Sequence, residues 1–549
     1  MLKAKIVSSL EKAFADEGID KFNSLERLTA LRGERISFQI LHIDEHGTRE
    51  HKLGEFKLDG ALAEYATART VMNVPVMKPL YPETKCDNFL RKTPGMYPDV
   101  LTPMHNGGAL TVHADAASAI WVEINIPKEG IVGEQVLTAT LSHKGVTVTE
   151  SIVIDVIDAL LPEQELIFTE WFYCDCLASY YNVEVWSEEH WRIVESFAAT
   201  AVRNGINLLL TPVFTPPLDT AIGGERITNQ LVGVTKTASE YSFDFSLLDR
   251  WIAMCDRVGV KYFEIAHFFT QWGAAHAPKV MATVDGEYKK IFGWETDAHG
   301  EDYRLFLRAF VSAFLDHMKK RGDDKRCYFH ISDEPTLEHL ESYKASKAIV
   351  ADLLEGYIIM DALSNYNFYA DGIVTTPIPA NNHIKPFLEN KVENLWTYYC
   401  CVQYEGVSNR YIAMPAYRNR SIGMQMYKHG IVGFLHWGYN FYNNCHSRNS
   451  INPYLDQSGD NWVPAGDMYS VYPAEDGTAH ESSRIIVFFE AIQDIAAMKL
   501  CEKYYKKEEI VDAMERAFGG EIRFDECARS SSQMLAVREC INEMIRKKL

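Results

Sequence analysis

Between residues 165 and 440, short apolar runs alternate with amphipathic stretches, and this alternation limits the fold more than any other feature of the chain. Eight runs have strand length: ELIFTEWFYCD, INLLLTPVF, KYFEIAHFF, CYFHISDEP, GYIIMDAL, GIVTTPIP, ENLWTYYCC and GIVGFLHWGYN. Near-continuous apolar runs are what strands buried on both faces require, and parallel strands need crossovers between them. EEHWRIVESFAATAVRNG follows the first run, SLLDRWIAMCDRVG precedes the third and YRLFLRAFVSAFLDHMKKRG precedes the fourth. The sixth crossover, Ala380 to Asn390, is short. The rhythm predicts a central (β/α)8 TIM-type barrel over 161–505. A doubly wound sheet is the competing arrangement, but no glycine-rich phosphate loop follows the first strand.

The flanks read differently. The first residues, 1–30, are amphipathic and read as a short helical segment. Over 31–160 the runs RISFQILHI, GALTVHA, AIWVEINIP, EQVLTATLSH and VTVTESIVIDVID alternate with turns, which predicts an N-terminal antiparallel β-sandwich. Leu161-Pro162 reads as a linker. After RIIVFFEAIQDIAAMKLCEKYY, residues 506–549 read as two further helices, candidates for a cap or for a homo-oligomer interface.

Charge narrows the partners. The chain has 75 acidic and 55 basic residues, a net charge of −20. No basic excess is available to neutralise phosphates, so nucleic acid and anionic membrane surfaces are disfavoured. No run approaches the ~18 apolar residues of a membrane span, and the N-terminus has no apolar leader core, so a cytoplasmic location is expected. Eleven cysteines without a repeated spacing read as reduced thiols. Cys174-Asp175-Cys176 and Cys400-Cys401 lack the spacing of a zinc site, so neither a metal nor any other cofactor is expected.

In such a barrel the chemistry sits at the C-terminal ends of the strands. The fourth end reads His330-Ile331-Ser332-Asp333-Glu334-Pro335. Two adjacent carboxyls can divide labour, one ionised and one protonated as a general acid. A solvated pair at a helix N-cap is the competing explanation. Other strand ends carry aromatics with polar tips: Trp171 and Tyr173, His267 and Phe269, Asp361 and Asn365, Trp396 and Tyr398, then His436, Trp437 and Asn440. Gln271-Trp272-Gly273 follows the third. Trp171, His267, Trp272, Trp396, Tyr398, Trp437 and Asn440 are the candidate substrate contacts, because a pyranose has an apolar face and a polar rim.

With these residues in place, the chain resembles glycoside hydrolase family 123, the β-N-acetylgalactosaminidases and their relatives. Asp333-Glu334-Pro335 after Tyr328-Phe329-His330 is similar to the family's catalytic segment. Gly33 to Gln39, Tyr97-Pro98-Asp99 and Trp121-Val122-Glu123 resemble its N-terminal sandwich. Trp396-Thr397-Tyr398, Gly433 to Trp437, Gly466-Asp467, Tyr472-Pro473, Arg484, Glu490 and Asp494 resemble its later segments. The resemblance implies a retaining mechanism in which the substrate's own 2-acetamido oxygen is the nucleophile. It implies that Asp333 orients the acetamido N–H and that Glu334 is the acid and then the base. Glycosidases of another sugar specificity, and a non-catalytic carbohydrate-binding protein, are the alternatives. An oligosaccharide or glycoconjugate is the expected partner.

Overall fold

The computed structural model describes residues 1–47, 52–104, 108–238, 240–271 and 273–549. Ten strands open the chain: β1 (Leu2–Ser8), β2 (Arg27–Arg32), β3 (Arg35–Asp44), β4 (Gly54–Asp59), β5 (Ala66–Val76), β6 (Gly95–Pro103), β7 (Ala109–Leu110), β8 (Ser118–Asn125), β9 (Gly133–His143) and β10 (Val146–Leu160). They form two sheets, ordered β1-β3-β8-β5-β6 and β2-β10-β9-β4-β7. Neighbours are antiparallel except β2 and β10. Phe38, Ile40, Val122, Ile124, Leu141, Ile152 and Ile154 fill one core.

The expected N-terminal helix is corrected. Leu2–Ser8 is a strand, paired antiparallel with β3 from Leu2–Asp44 to Ser8–Phe38, and the helical part of this segment is one 3-10 turn, Ile19–Lys21. Leu2 and Ile6 both enter the sandwich core. A spacing of four lies on one face of a helix and also on one face of a strand, so the pattern alone cannot separate them. The open edge of β3 decides, because its N–H and C=O groups need partners.

From residue 167 the chain runs β11 (Ile167–Glu170), β12 (Leu208–Thr211), a hairpin of β13 (Gly233–Thr237) and β14 (Glu240–Asp244), β15 (Tyr262–Ile265), and a second hairpin of β16 (Val280–Val284) and β17 (Glu287–Phe292). β18 (Cys327–Phe329), β19 (Ile358–Ala362), β20 (Thr376–Ile378), β21 (Trp396–Tyr398) and β22 (Gly433–His436) follow. The hairpins form a separate four-stranded sheet. The other eight strands form two parallel ladders, β11-β22-β21 and β12-β15-β18-β19-β20. At one pair of ladder edges the Asn207 side chain accepts the Phe168 N–H at 2.8 Å, and the Asn207 N–H donates to the Phe168 carbonyl at 3.1 Å. At the other pair, Ala380 and Tyr398 form a parallel bridge.

Helices fill most crossovers: α1 (Cys174–Tyr181), α2 (Glu188–Arg203), α3 (Ser246–Val258), α4 (Glu301–Arg321), α5 (Leu340–Val350), α6 (Asn367–Ala370), α7 (Lys385–Glu389) and α8 (Ala416–His429). The α2 sequence begins with Ser187, whose side chain accepts the His190 N–H, and buries Trp191, Val194, Phe197 and Ala201 along one stripe. The short sixth crossover holds only α7.

α9 (Ser483–Cys501), α10 (Lys507–Phe518) and α11 (Ser531–Arg546) end the chain. Arg538 of α11 reaches Glu34 at 2.8 Å and Asp494 of α9 at 3.1 Å, so this helix is tied to the N-terminal strands. All eleven cysteines are free thiols. Among the described residues no helix is long and apolar enough to cross a membrane.

Candidate active site

The segment after β18 changes abruptly in exposure. His330, Ile331 and Ser332 are buried, Asp333 is half-buried, and Glu334 is exposed. Three anchors shape the turn. Asp361 at the end of β19 accepts the Ile331 N–H at 3.1 Å, Ser332 Oγ donates to the Thr270 carbonyl at 2.9 Å, and the Glu334 N–H donates to the Ala362 carbonyl at 3.1 Å. Glu334 has φ +44°, a left-handed conformation that costs a non-glycine residue about 1–3 kcal/mol. Tyr398, the last residue of β21, donates its O–H to Glu334 Oε1 at 2.7 Å. The turn thus presents one carboxyl held by a phenol and, beside it, a second one recessed.

A further acid, Asp219, acts on the pair, and Asp467 acts in turn on Asp219. Burial holds the Asp333 carboxyl well above the usual range, and the charges of Glu334 and Asp219 add to this against His330. Asp219 lies in the loop after β12 with φ +48°; its N–H donates to Gln271 Oε1 at 2.7 Å, and its carbonyl accepts from Ser447 Oγ at 2.8 Å. Burial pushes Asp219 up to about 7 against the pull of Arg226, with Glu334 and Asp467 adding to the rise. Asp467 is also pushed up to about 7 by burial, despite Arg410 and a hydrogen bond from Trp437 Nε1 at 2.7 Å. Sequence reasoning missed Asp219 and Asp467 as site groups, because neither follows a strand pattern. The one available signal was Asp467 in the Gly466-Asp467 pair.

Beneath the turn lies an ionic cluster. His330 Nε2 is 2.7 Å from Glu264 Oε1, and its Nδ1 is 3.1 Å from Asp361 Oδ1. Trp171 Nε1 donates to Glu264 Oε1 at 2.7 Å, and Thr169 and Tyr343 donate their hydroxyls to Glu264 and Asp361. His267 stacks on His330 with ring centres 4.1 Å apart and planes 16° apart. Burial, reinforced by His330, holds His267 well below the usual histidine range, so it is neutral.

The structure therefore sorts the predicted residues. Asp333, Glu334 and Tyr398 meet at the turn, while Trp437 bonds Asp467. Trp171 and His267 surround His330 and are buried. Asn440 spends its Oδ1 on the Tyr173 N–H and its Nδ2 on the Tyr173 carbonyl, clamping the ends of β22 and β11 together. Trp396 begins β21 opposite Gly433, and a Cβ at Gly433 would lie 2.1 Å from its indole. It is packed at the strand start, away from the strand end that carries Tyr398. Trp272 lies outside the described residues.

His267, His330 and Asp361 are the one trio among the described residues whose ligand atoms approach a metal-binding spacing, within 4.8 Å of one another. They do not fit an ion. Both His330 nitrogens face carboxylates, and the lone pairs of two stacked rings lie in separate parallel planes, so they cannot converge on one point. Cys400 and Cys401, just beyond Tyr398, have their thiols raised above the usual range: Cys400 by its contact with Cys401 and by burial, Cys401 by burial against its contact with Cys400.

A family model described as "Glycoside hydrolase 123, catalytic domain" matches residues 171–501. Among solved structures, a family 123 glycoside hydrolase from Clostridium perfringens, reported for glycolipid glycan hydrolysis, is 16% identical. The match covers 100% of this chain and 99% of that one with a TM-score of 0.76, which shows a shared fold. A β-glucuronidase of Parabacteroides merdae is 10% identical over 90% of this chain and 51% of its own, with a TM-score of 0.32. An endo-β-1,4-mannanase of Thermotoga petrophila is 13% identical over 61% and 77%, with a TM-score of 0.35. No curated protein matches.

Proposed function

Because this chain belongs to glycoside hydrolase family 123 and is a glycosidase, we propose that it releases terminal β-linked N-acetylgalactosamine with retention, using the substrate's acetamido group as nucleophile. The observation that carries the reading is the adjacent pair Asp333–Glu334, with Glu334 fixed by Tyr398 and Asp333 recessed beside it. The eight parallel strands are read as a (β/α)8 barrel whose C-terminal loops hold this pair.

In the first step the acetamido carbonyl oxygen attacks the anomeric carbon as the glycosidic C–O bond breaks. Its electron pair leaves with the aglycone oxygen, which takes the proton of Glu334. Asp333 accepts the acetamido N–H and stabilises the positive charge that develops on the oxazolinium ring. In the second step water attacks the anomeric carbon and gives a proton to Glu334, and the ring opens. Substrate-assisted hydrolases of this kind stand outside the scheme that needs a protein nucleophile. The aglycone is proposed to be an oligosaccharide or another glycoconjugate, which is consistent with the glycolipid glycan of the Clostridium relative.

The test is hydrolysis of aryl β-glycosides of N-acetylgalactosamine, N-acetylglucosamine, galactose and glucose, with and without a thiazoline mimic of the oxazolinium ring. Turnover of the N-acetylgalactosaminide, blocked by the thiazoline, is the expected result. Turnover of a sugar without the acetamido group would overturn the substrate-assisted route.

A further inference from the structure

The cluster below Asp333–Glu334 has no task in the steps above. His330, Glu264 and Asp361 are all fully buried. Every oxygen of both carboxylates is already an acceptor. Glu264 receives Trp171 Nε1–H and the Thr169 hydroxyl, and Asp361 receives the Ile331 N–H and the Tyr343 hydroxyl. At Asp361 burial raises the carboxyl, and against it His330 and the Tyr343 and Ile331 donors favour the ionised form. An ionised carboxylate offers no proton, so a ring facing one at each nitrogen can bond both only when both nitrogens carry hydrogen.

We infer that His330 is an imidazolium at neutral pH beneath the active site, and that this buried cation is the counter-charge that opposes Glu334 and Asp219 and so eases the ionisation of Asp333. The second half rests on the reading of Asp333 given above. Burial opposes the charge on His330, but its bonds to Asp361 and Glu264 outweigh burial and raise it to about 9. The groups around His330 are Glu264 and His267 from β15 and the residues after it, Trp171 beyond β11, Asp361 of β19 and Asp333. The groups around Asp333 are Glu334 on its own loop, Asp219 after β12, Asp361 of β19, Tyr173 beyond β11 and His330. Three of those neighbours are acids, and His330 is the one that pulls the other way. It acts through Asp333 and touches no substrate, so it is a positioning residue.

Two measurements test this. Neutron diffraction from crystals of the wild-type protein at about pH 7 should show deuterium on both His330 nitrogens, well below its raised pKa. A bare nitrogen there overturns the inference, whichever sugar the enzyme cleaves, and this arm needs no variant to fold. The pH profile of kcat/KM for an activated aryl glycoside is then compared between wild type and His330→Asn, with His330→Gln as a second variant. Removing the cation should move the acidic limb upward by about one pH unit, giving roughly a tenfold loss on that limb that fades as pH rises beyond it. An equal loss at every pH overturns the counter-charge role, because a purely structural defect scales the whole profile. If Asp333→Asn proves fully active while deuterium occupies both nitrogens, the reading of Asp333 fails, and with it the counter-charge role, while the imidazolium stands.

Discussion

Tyr398 donates to Glu334 Oε1 at 2.7 Å, although the two residues lie 64 positions apart and leave different strands. This bond occupies one carboxyl oxygen and leaves the other for the glycosidic oxygen. It also holds a side chain whose backbone sits in a left-handed conformation.

Tyr398→Phe removes the bond and keeps the ring. A hydrogen bond to a charged group contributes about 1.5–3 kcal/mol, so kcat/KM should fall roughly 10- to 100-fold. The thermal midpoint should barely change. Unchanged kinetics would show that Glu334 needs no such restraint.

Glu334→Gln should separate substrates by leaving group. General acid help contributes about 10²–10⁴-fold. Unactivated glycosides should lose that much, while a dinitrophenyl glycoside, which departs without a proton, should lose far less. Equal losses on both would remove Glu334 from the acid role.

Asn440→Ala tests whether a strand-end polar residue is a sugar contact or a clamp. Its side chain satisfies both backbone groups of Tyr173, and each orphaned buried group costs about 1–3 kcal/mol. The urea midpoint should drop with KM unchanged. A raised KM at normal stability would instead mark it as a substrate residue.

Glu481 carries a pH signature. It bonds Arg69 of β5, Arg203 of α2 and Asn204, joining the N-terminal sheets to the parallel-strand region. Burial opposes its charge, but Arg69 and Arg203 overcome burial and hold it down to about 2, against 4.5 for the free group. Its folded pKa is depressed, so its stabilisation is present above pH 4.5 and is lost as pH falls toward 2. Glu481→Gln should cost about 1.5–3 kcal/mol near neutral pH, since Arg69 and Arg203 lose one charged partner and keep Glu123. Followed by urea unfolding, the gap between variant and wild type should narrow over that acid window. A gap independent of pH would refute the assignment.

The features legible in the sequence are those written in contiguous residues. The eight apolar runs each contain one of the eight parallel strands, and ISDEP could be placed at a strand end because proline follows the carboxyls. The alternating runs of 31–160 became strands for the same reason: a period of two specifies a half-buried face wherever it occurs. Leu2–Ser8 escaped, because a spacing of four belongs to helix and strand alike until β3 offers an edge.

The sequence by itself determined where the eight parallel strands lie, that two adjacent carboxyls stand at the end of one of them, and which family those segments resemble. Only the tertiary structure decided which side chains surround that pair. Asp219, Asp333 and Asp467 come from three distant loops; burial pushes each of them up, and at Asp219 and Asp333 neighbouring acids add to it, effects that act through space and not along the chain. The same holds for Trp396, Asn440 and His267. Their residue types suit a sugar site, but a strand start, a backbone clamp and a stacked ring are relationships that exist only once the strands lie side by side.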